Sequence, residues 1–156
     1  MLSYKRITNE YNELKDYINN YPSIDHRIID INIINDNILD LEICFIGPIE
    51  TPYEDIINTI SIKLNDNYPN KPPVIKFLTK IFHPNISIDG LICLDILKDN
   101  WKPIYTLRTI IISLISLLSD PNPDSPVNSY AGKLYKESFL SLDNKIKYLK
   151  EIIHYS

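Results

Sequence analysis

At 156 residues the chain matches one ordinary domain, which buries roughly two thirds of the surface of its unfolded chain, so a single domain over residues 1–156 is expected. Apolar residues at 44% and charged residues at 23% exclude a disordered or fibrous chain. A net charge of −4 argues against a broad nucleic-acid interface, which needs a basic face to neutralise phosphates.

From Lys5 the apolar residues Ile7, Tyr11, Leu14 and Ile18 recur at spacings of four, three and four, one stripe of an amphipathic helix that ends before Tyr21-Pro22. From Arg27 the period becomes two. Ile29, Ile31 and Ile33 alternate with Asp30 and Asn32, and Leu39, Leu41, Ile43 and Phe45 alternate with Asp40, Glu42 and Cys44. Asn35-Asp36-Asn37 between them is turn chemistry and predicts a hairpin. Ile60, Ile62 and Leu64 mark a third strand and Val74 to Leu78 a fourth, giving an antiparallel meander. Thr79 to Thr106 has no sustained period, and a long irregular segment inside a compact domain is usually functional. Thr106 then predicts the N-cap of a helix through Leu118, apolar almost all round and therefore placed under the sheet, with Asp120-Pro121-Asn122-Pro123 as its stop. Two amphipathic helices follow, about Ser129 to Phe139 and Ser141 to Ile153, the second with Leu142, Ile146, Leu149 and Ile153 on one face. The fold class is α+β: a helix, a four-stranded antiparallel sheet, a long loop and three helices, with helices covering one face of the sheet.

The first six residues lack the apolar core of a signal peptide, and the longest apolar stretch, Leu107 to Leu118, is too short and too interrupted to span a bilayer. Cys44 and Cys93 form neither a disulfide framework nor a zinc site, and three scattered histidines add no ligand cluster. These readings predict a soluble protein of the cytosol or nucleus, with no membrane partner, no nucleic-acid partner, no metal and no cofactor. Three glycines cannot build a phosphate-binding loop of the usual form, so any ATP chemistry belongs to another protein.

The long loop contains His83-Pro84-Asn85, Gly90 three residues before Cys93, the pair Cys93-Leu94 and Trp101 eight residues further on. With Gly47-Pro48, Thr51-Pro52-Tyr53, Tyr68-Pro69, Pro72-Pro73 and Asp120-Pro121-Asn122-Pro123, this ordered set closely resembles the ubiquitin-conjugating enzyme family over almost the whole chain. The resemblance implies that Cys93 carries ubiquitin, or a ubiquitin-like modifier, as a thioester received from an activating enzyme and passes it to a lysine with a ligase. A thioester is already activated toward amines. The chemistry therefore asks only for an exchangeable thiol, a donor for the developing oxyanion and help in presenting the lysine.

Asn85 can supply the oxyanion donor, as the family's asparagine is proposed to do, or can tie down the loop beside Cys93; both uses stand open. His83 would suggest a cysteine protease if it activated the thiol. The resemblance instead implies that His83, with Pro84, holds loop backbone. Cys44 lies in an alternating strand, where packing is the expected role. Ser125 stands where many members have an acid that orients or deprotonates the lysine, and adjacent Asp124 could favour a nearby amine. Lys5 and Arg6 match basic residues that the family presents to its activating enzyme. Asn70 replaces an aromatic that many members bury in the grooves of HECT-type ligases, which favours a RING-type ligase. Trp101, Pro103 and Ile104 match a second ligase-facing loop, although Trp101 suits a core anchor equally well. Glu54-Asp55-Ile56 departs from the family, where glycines usually follow the tyrosine. The competing reading is a non-catalytic ubiquitin-binding variant of the same fold; such variants lack the cysteine.

Overall fold

The computed structural model describes residues 2–20 and 27–155. Helix α1 (Leu2–Asn20) leads into strands β1 (Ile28–Ile34), β2 (Asn37–Ile46), β3 (Ile57–Lys63) and β4 (Val74–Phe77), which form one antiparallel sheet in the order β1-β2-β3-β4. A 3₁₀ turn at Asp95–Leu97 interrupts the long loop, and helices α2 (Leu107–Ser119), α3 (Ser129–Glu137) and α4 (Leu142–Tyr155) complete the chain. The expected architecture is therefore present; the Tyr21-Pro22 stop lies outside the described residues. Among the described residues no helix is long and apolar enough to cross a membrane.

The hairpin turns as its residues dictate. Ile34 pairs with Asn37, and the two residues between them, Asn35 and Asp36, have φ of 52° and 57°. A two-residue turn with both φ positive matches the twist of the strands, and Asn and Asp tolerate that region best after glycine. Across the sheet, Ile31, Ile43, Ile60 and Phe77 form one buried row, and Leu41, Ile62 and Ile75 form the next. The opposite face carries Asp30, Cys44 and Thr59, then Asn32, Glu42, Ser61 and Lys76. Cys44 is thus half-buried on the polar face, its sulfur 3.5 Å from the Thr59 hydroxyl.

The alternation expected of β1 holds only at Ile31, since Ile33 near the strand end is 37% exposed. Ile29 is exposed because a register shift between Ile28 and Asp30 makes it an extra residue in β1, so Ile28 rather than Ile29 joins the core.

Thr106 caps α2 as expected, its side chain accepting from the Thr109 N–H. Leu107, Ile110, Ile111, Leu114 and Leu118 are buried, whereas Arg108, Ile112 and Ser116 face outward, so α2 is covered on one broad face rather than all round. Helix α4 departs further. The stripe Leu142, Ile146, Leu149, Ile153, which an amphipathic reading assigns to the core, is not the packed face; Tyr148 and Ile152 are buried instead. Tyr148 and Tyr155 pack on the ring of Phe82, and the Tyr148 and Tyr53 hydroxyls lie 3.3 Å apart. Residues 148, 152 and 155 form a second stripe at helical spacing, and partners distant in sequence decide which stripe is covered.

The left-handed residues also explain the Glu54-Asp55-Ile56 departure. Asp55 has φ 66°, a region that glycine enters freely and aspartate enters more readily than most residues. The Glu54 carboxylate accepts the backbone N–H of Glu50, itself at φ 58°, so the substituted pair stabilises the turn that it enters.

Candidate active site

His83, Pro84 and Asn85 are all buried, and each ties the loop to a different element. Helix α2 ends at Ser119, and the carbonyl of Leu117 would find its helical partner at residue 121, which is a proline without an N–H. His83 Nε2 donates to that carbonyl at 3.0 Å. Its Nδ1 accepts the Asn85 backbone N–H at 3.0 Å, so the ring is neutral with both nitrogens occupied. Burial pushes its pKa down to about 4, against a weaker upward pull from the Leu117 bond. His83 is therefore a brace. It has no nitrogen free to take a proton from a thiol, which removes the basis of a protease reading.

Pro84 offers its carbonyl to the backbone N–H groups of Val127 and Asn128, at 2.9 and 3.0 Å, and Asn128 caps α3 through its side chain. The Asn85 carboxamide reaches a third segment. Its Nδ2 donates to the carbonyls of Asn122 at 2.7 Å and Ser125 at 3.3 Å, and its Oδ1 accepts the Asn122 N–H at 2.8 Å. Both amide N–H groups are engaged, so in this arrangement Asn85 ties down the loop, the second of its two expected uses. Its own carbonyl accepts the backbone N–H of Cys93 at 2.9 Å. The triplet is a junction joining α2, the start of α3, the 122–125 loop and the cysteine.

Gly90 brings the chain back toward that junction. Its φ is 82°, and a Cβ there would fall 2.1 Å from the Phe77 carbonyl, because the loop crosses the edge of β4 and the Phe77 N–H donates to the Gly90 carbonyl at 2.9 Å. Only glycine fits both the conformation and the approach. Ser87 closes the same turn, its hydroxyl accepting the Leu91 N–H at 3.0 Å.

Cys93 is half-buried and unbridged. The 3₁₀ turn that follows curls the chain so that Lys98 Nζ donates to Cys93 Sγ at 3.5 Å. The contact sets a cation beside the sulfur. No periodicity marks Lys98, and only the turn brings it to the sulfur.

The remaining expected residues divide. Ser125 is exposed, its carbonyl held by Asn85 and its hydroxyl without a hydrogen bond among the described residues. Asp124 is also exposed, but its carboxylate pairs with Lys136 at 3.0 Å, so the charge expected to face an incoming lysine already faces one from α3. Trp101 is the anchor of the two expected ligase loops: its indole N–H donates to the Pro69 carbonyl at 2.7 Å, and its ring packs on Tyr68 and Tyr105. Asn70, Pro103 and Ile104 are left exposed.

On α1, Lys5 is exposed and makes no ion pair among the described residues, whereas Arg6 is engaged within the chain. The Arg6 guanidinium bonds to Glu10 and donates to the carbonyls of Pro103 at 3.0 Å and Tyr105 at 3.2 Å. These bonds make Arg6 a strut between α1 and the loop after Trp101. Glu10 is the polar residue that the sequence reading passed over. It is buried, and accepts the Tyr68 hydroxyl at 2.7 Å and the Leu107 N–H at 2.9 Å. The signal was present, since an acid three residues after Ile7 and four before Leu14 sits on the buried stripe.

A family model described as ubiquitin-conjugating enzyme matches residues 6–149, which includes every element of this junction. Ubiquitin-conjugating enzyme E2 1 of Caenorhabditis elegans is 47% identical over 116 residues, covering 74% of this chain and 60% of that protein. Ubiquitin-conjugating enzyme E2 2 of Mycosarcoma maydis is 43% identical over 112 residues, covering 72% and 60%, and ubiquitin-conjugating enzyme E2 3 of Arabidopsis thaliana is 41% identical over 119 residues, covering 76% and 75%. The first two matches thus span about 60% of the relatives' own length. Among solved structures, the H. polymorpha ubiquitin-conjugating enzyme Pex4p, crystallised with the soluble domain of Pex22p, superposes with a TM-score of 0.88 at 29% identity, over 98% of this chain and 95% of that one. A braced loop, a glycine-dependent turn and a half-buried cysteine, held in a chain matched over nearly its full length, place this protein in the ubiquitin-conjugating enzyme family.

Proposed function

We propose that this chain accepts ubiquitin, or a ubiquitin-like modifier, from an activating enzyme and transfers it to a lysine with the help of a ligase. The observation that carries the reading is Cys93: a half-buried thiol with Lys98 beside the sulfur and a backbone fixed through Asn85 to a three-way brace. In the first step the Cys93 thiolate attacks the modifier's thioester carbonyl, a new C–S bond forms, and the activating enzyme's thiolate leaves. In the second step a neutral lysine attacks the same carbonyl. The C–N bond forms, the C–S bond breaks, Cys93 leaves as thiolate and the amine loses its proton to solvent. We assign Ser125 to orienting that amine, because Asn85 holds its backbone while its hydroxyl remains available.

Lys5 is the basic residue of α1 that we assign to the activating enzyme. Asn70 in place of an aromatic supports a RING-type ligase over a HECT-type one, with Pro103 and Ile104 in the contact. Cytosol or nucleus is the proposed compartment.

A panel of activating enzymes, each with ATP and its matched modifier, tests the reading. One of them should charge the chain, and free lysine should then discharge the adduct. Failure of the whole panel to charge the protein would give the lead to a ubiquitin-binding role.

A further inference from the structure

Helix α4 carries two apolar stripes and the fold uses one. The outward stripe comprises Leu142, Ile146, Leu149 and Ile153, of which Leu142 and Ile153 are 72% and 75% exposed, Ile146 is 40% exposed and Leu149 is half-buried. The spacings of four, three and four are those of a heptad seam, about 16 Å long at the helical rise. The stripe is narrow, covering about 60° of the helix circumference at 100° per residue, which is the width of a coiled-coil contact rather than of a helix lying in a lipid interface. Lys145 borders it on one side and Lys150 on the other, and neither makes an ion pair among the described residues. Asp143 lies on the Lys150 side at the first turn, so the borders are net positive.

We propose that this stripe docks a helix from another protein, one whose own apolar seam is bordered by acidic residues. The spacing selects a helix, because leucine and isoleucine at four-three-four intervals fit between the side chains of a facing helix. The lysine borders select its charge.

The probe is a synthetic helix about three heptads long, with leucine along the seam and glutamate on both borders; the control carries lysine on the borders. Binding is followed by chemical-shift changes in the isotope-labelled full chain. The acidic helix should bind on the order of tenfold more tightly than the basic one, with shifts centred on α4. Ile146→Ser and, at a more exposed position, Leu142→Ser should each weaken it several-fold without changing the melting temperature. Lys145→Glu with Lys150→Glu should reverse the preference between the two helices. Equal binding of both helices, binding of neither, or shifts centred elsewhere would overturn the proposal. So would sedimentation of the protein with phosphatidylserine vesicles in the absence of helix binding, or a concentration-dependent dimer that Ile146→Ser abolishes.

Discussion

Replacing Asn85 by alanine deletes the carboxamide that holds the 122–125 loop. Three hydrogen bonds go together, at 2.7, 2.8 and 3.3 Å, and the side chain that makes them is 1% exposed. An orphaned buried partner costs about 1–3 kcal/mol, but Asn122 and Ser125 lie at the surface, where water replaces part of the loss, so about 2–4 kcal/mol is expected for the whole junction. For a domain of this size that lowers the melting temperature by roughly 5–15 °C. Asn85→Asp should be no better: one oxygen can still accept the Asn122 N–H, but a carboxylate has nothing to donate to the two carbonyls. The assay pairs a thermal melt with single-turnover rates for loading Cys93 and for discharge to lysine. Both half-reactions should slow, because the Asn85 carbonyl also fixes the Cys93 backbone. An unchanged melt with normal loading and a loss on the order of a hundredfold in discharge alone would refute the bracing argument and assign the carboxamide to the oxyanion.

Other outcomes follow from the same geometry. Gly90→Ala forces a Cβ against the Phe77 carbonyl at a positive φ and should cost more than about 3 kcal/mol, read as a lowered denaturant midpoint with loss of loading. His83 titrates at about 4 when folded and near 6.5 when unfolded, so its neutral form contributes stability that is complete above pH 6.5 and is lost as pH falls toward 4. That amounts to about 3 kcal/mol, and the acid limb of the stability profile should flatten in His83→Gln; an identical limb would remove His83 as its source. Glu10→Gln should destabilise by about 2 kcal/mol through loss of the charge-assisted bond to Arg6, and a melt indistinguishable from the parent would show that the buried network contributes nothing net. Asn70→Phe should strengthen binding to a HECT-type ligase domain, and unchanged or weaker affinity across several such domains would count against the reading of that loop.

The fold was legible wherever local chemistry decided it. Asn35-Asp36 could turn only one way that suits a hairpin, Thr106 had a free hydroxyl to cap α2, and strict alternation set the face of β2. Reading failed where a distant partner decided. The second stripe of α4 is buried because Phe82 and Tyr53 wait beneath it, and Ile29 is expelled by a bulge that no alternation encodes. In the site, the ordered His-Pro-Asn, Gly and Cys positions identified the loop, yet the role of each residue depended on long-range bonds. The carbonyl that His83 satisfies is orphaned by Pro121, 38 positions away, and Arg6 is held by carbonyls 97 and 99 residues along the chain. Sequence places such residues on a surface or in a motif and cannot say which bonds already occupy them.

The central claim rests on the sulfur of Cys93 and is tested by locating the adduct formed with activating enzyme, ATP and modifier. Wild type and Cys44→Ser should form an adduct that a reducing thiol removes, with peptide mapping placing it on Cys93. Cys93→Ser should form at most a slow oxyester that the thiol leaves intact. An adduct that persists in Cys93→Ala and disappears in Cys44→Ser would contradict the account.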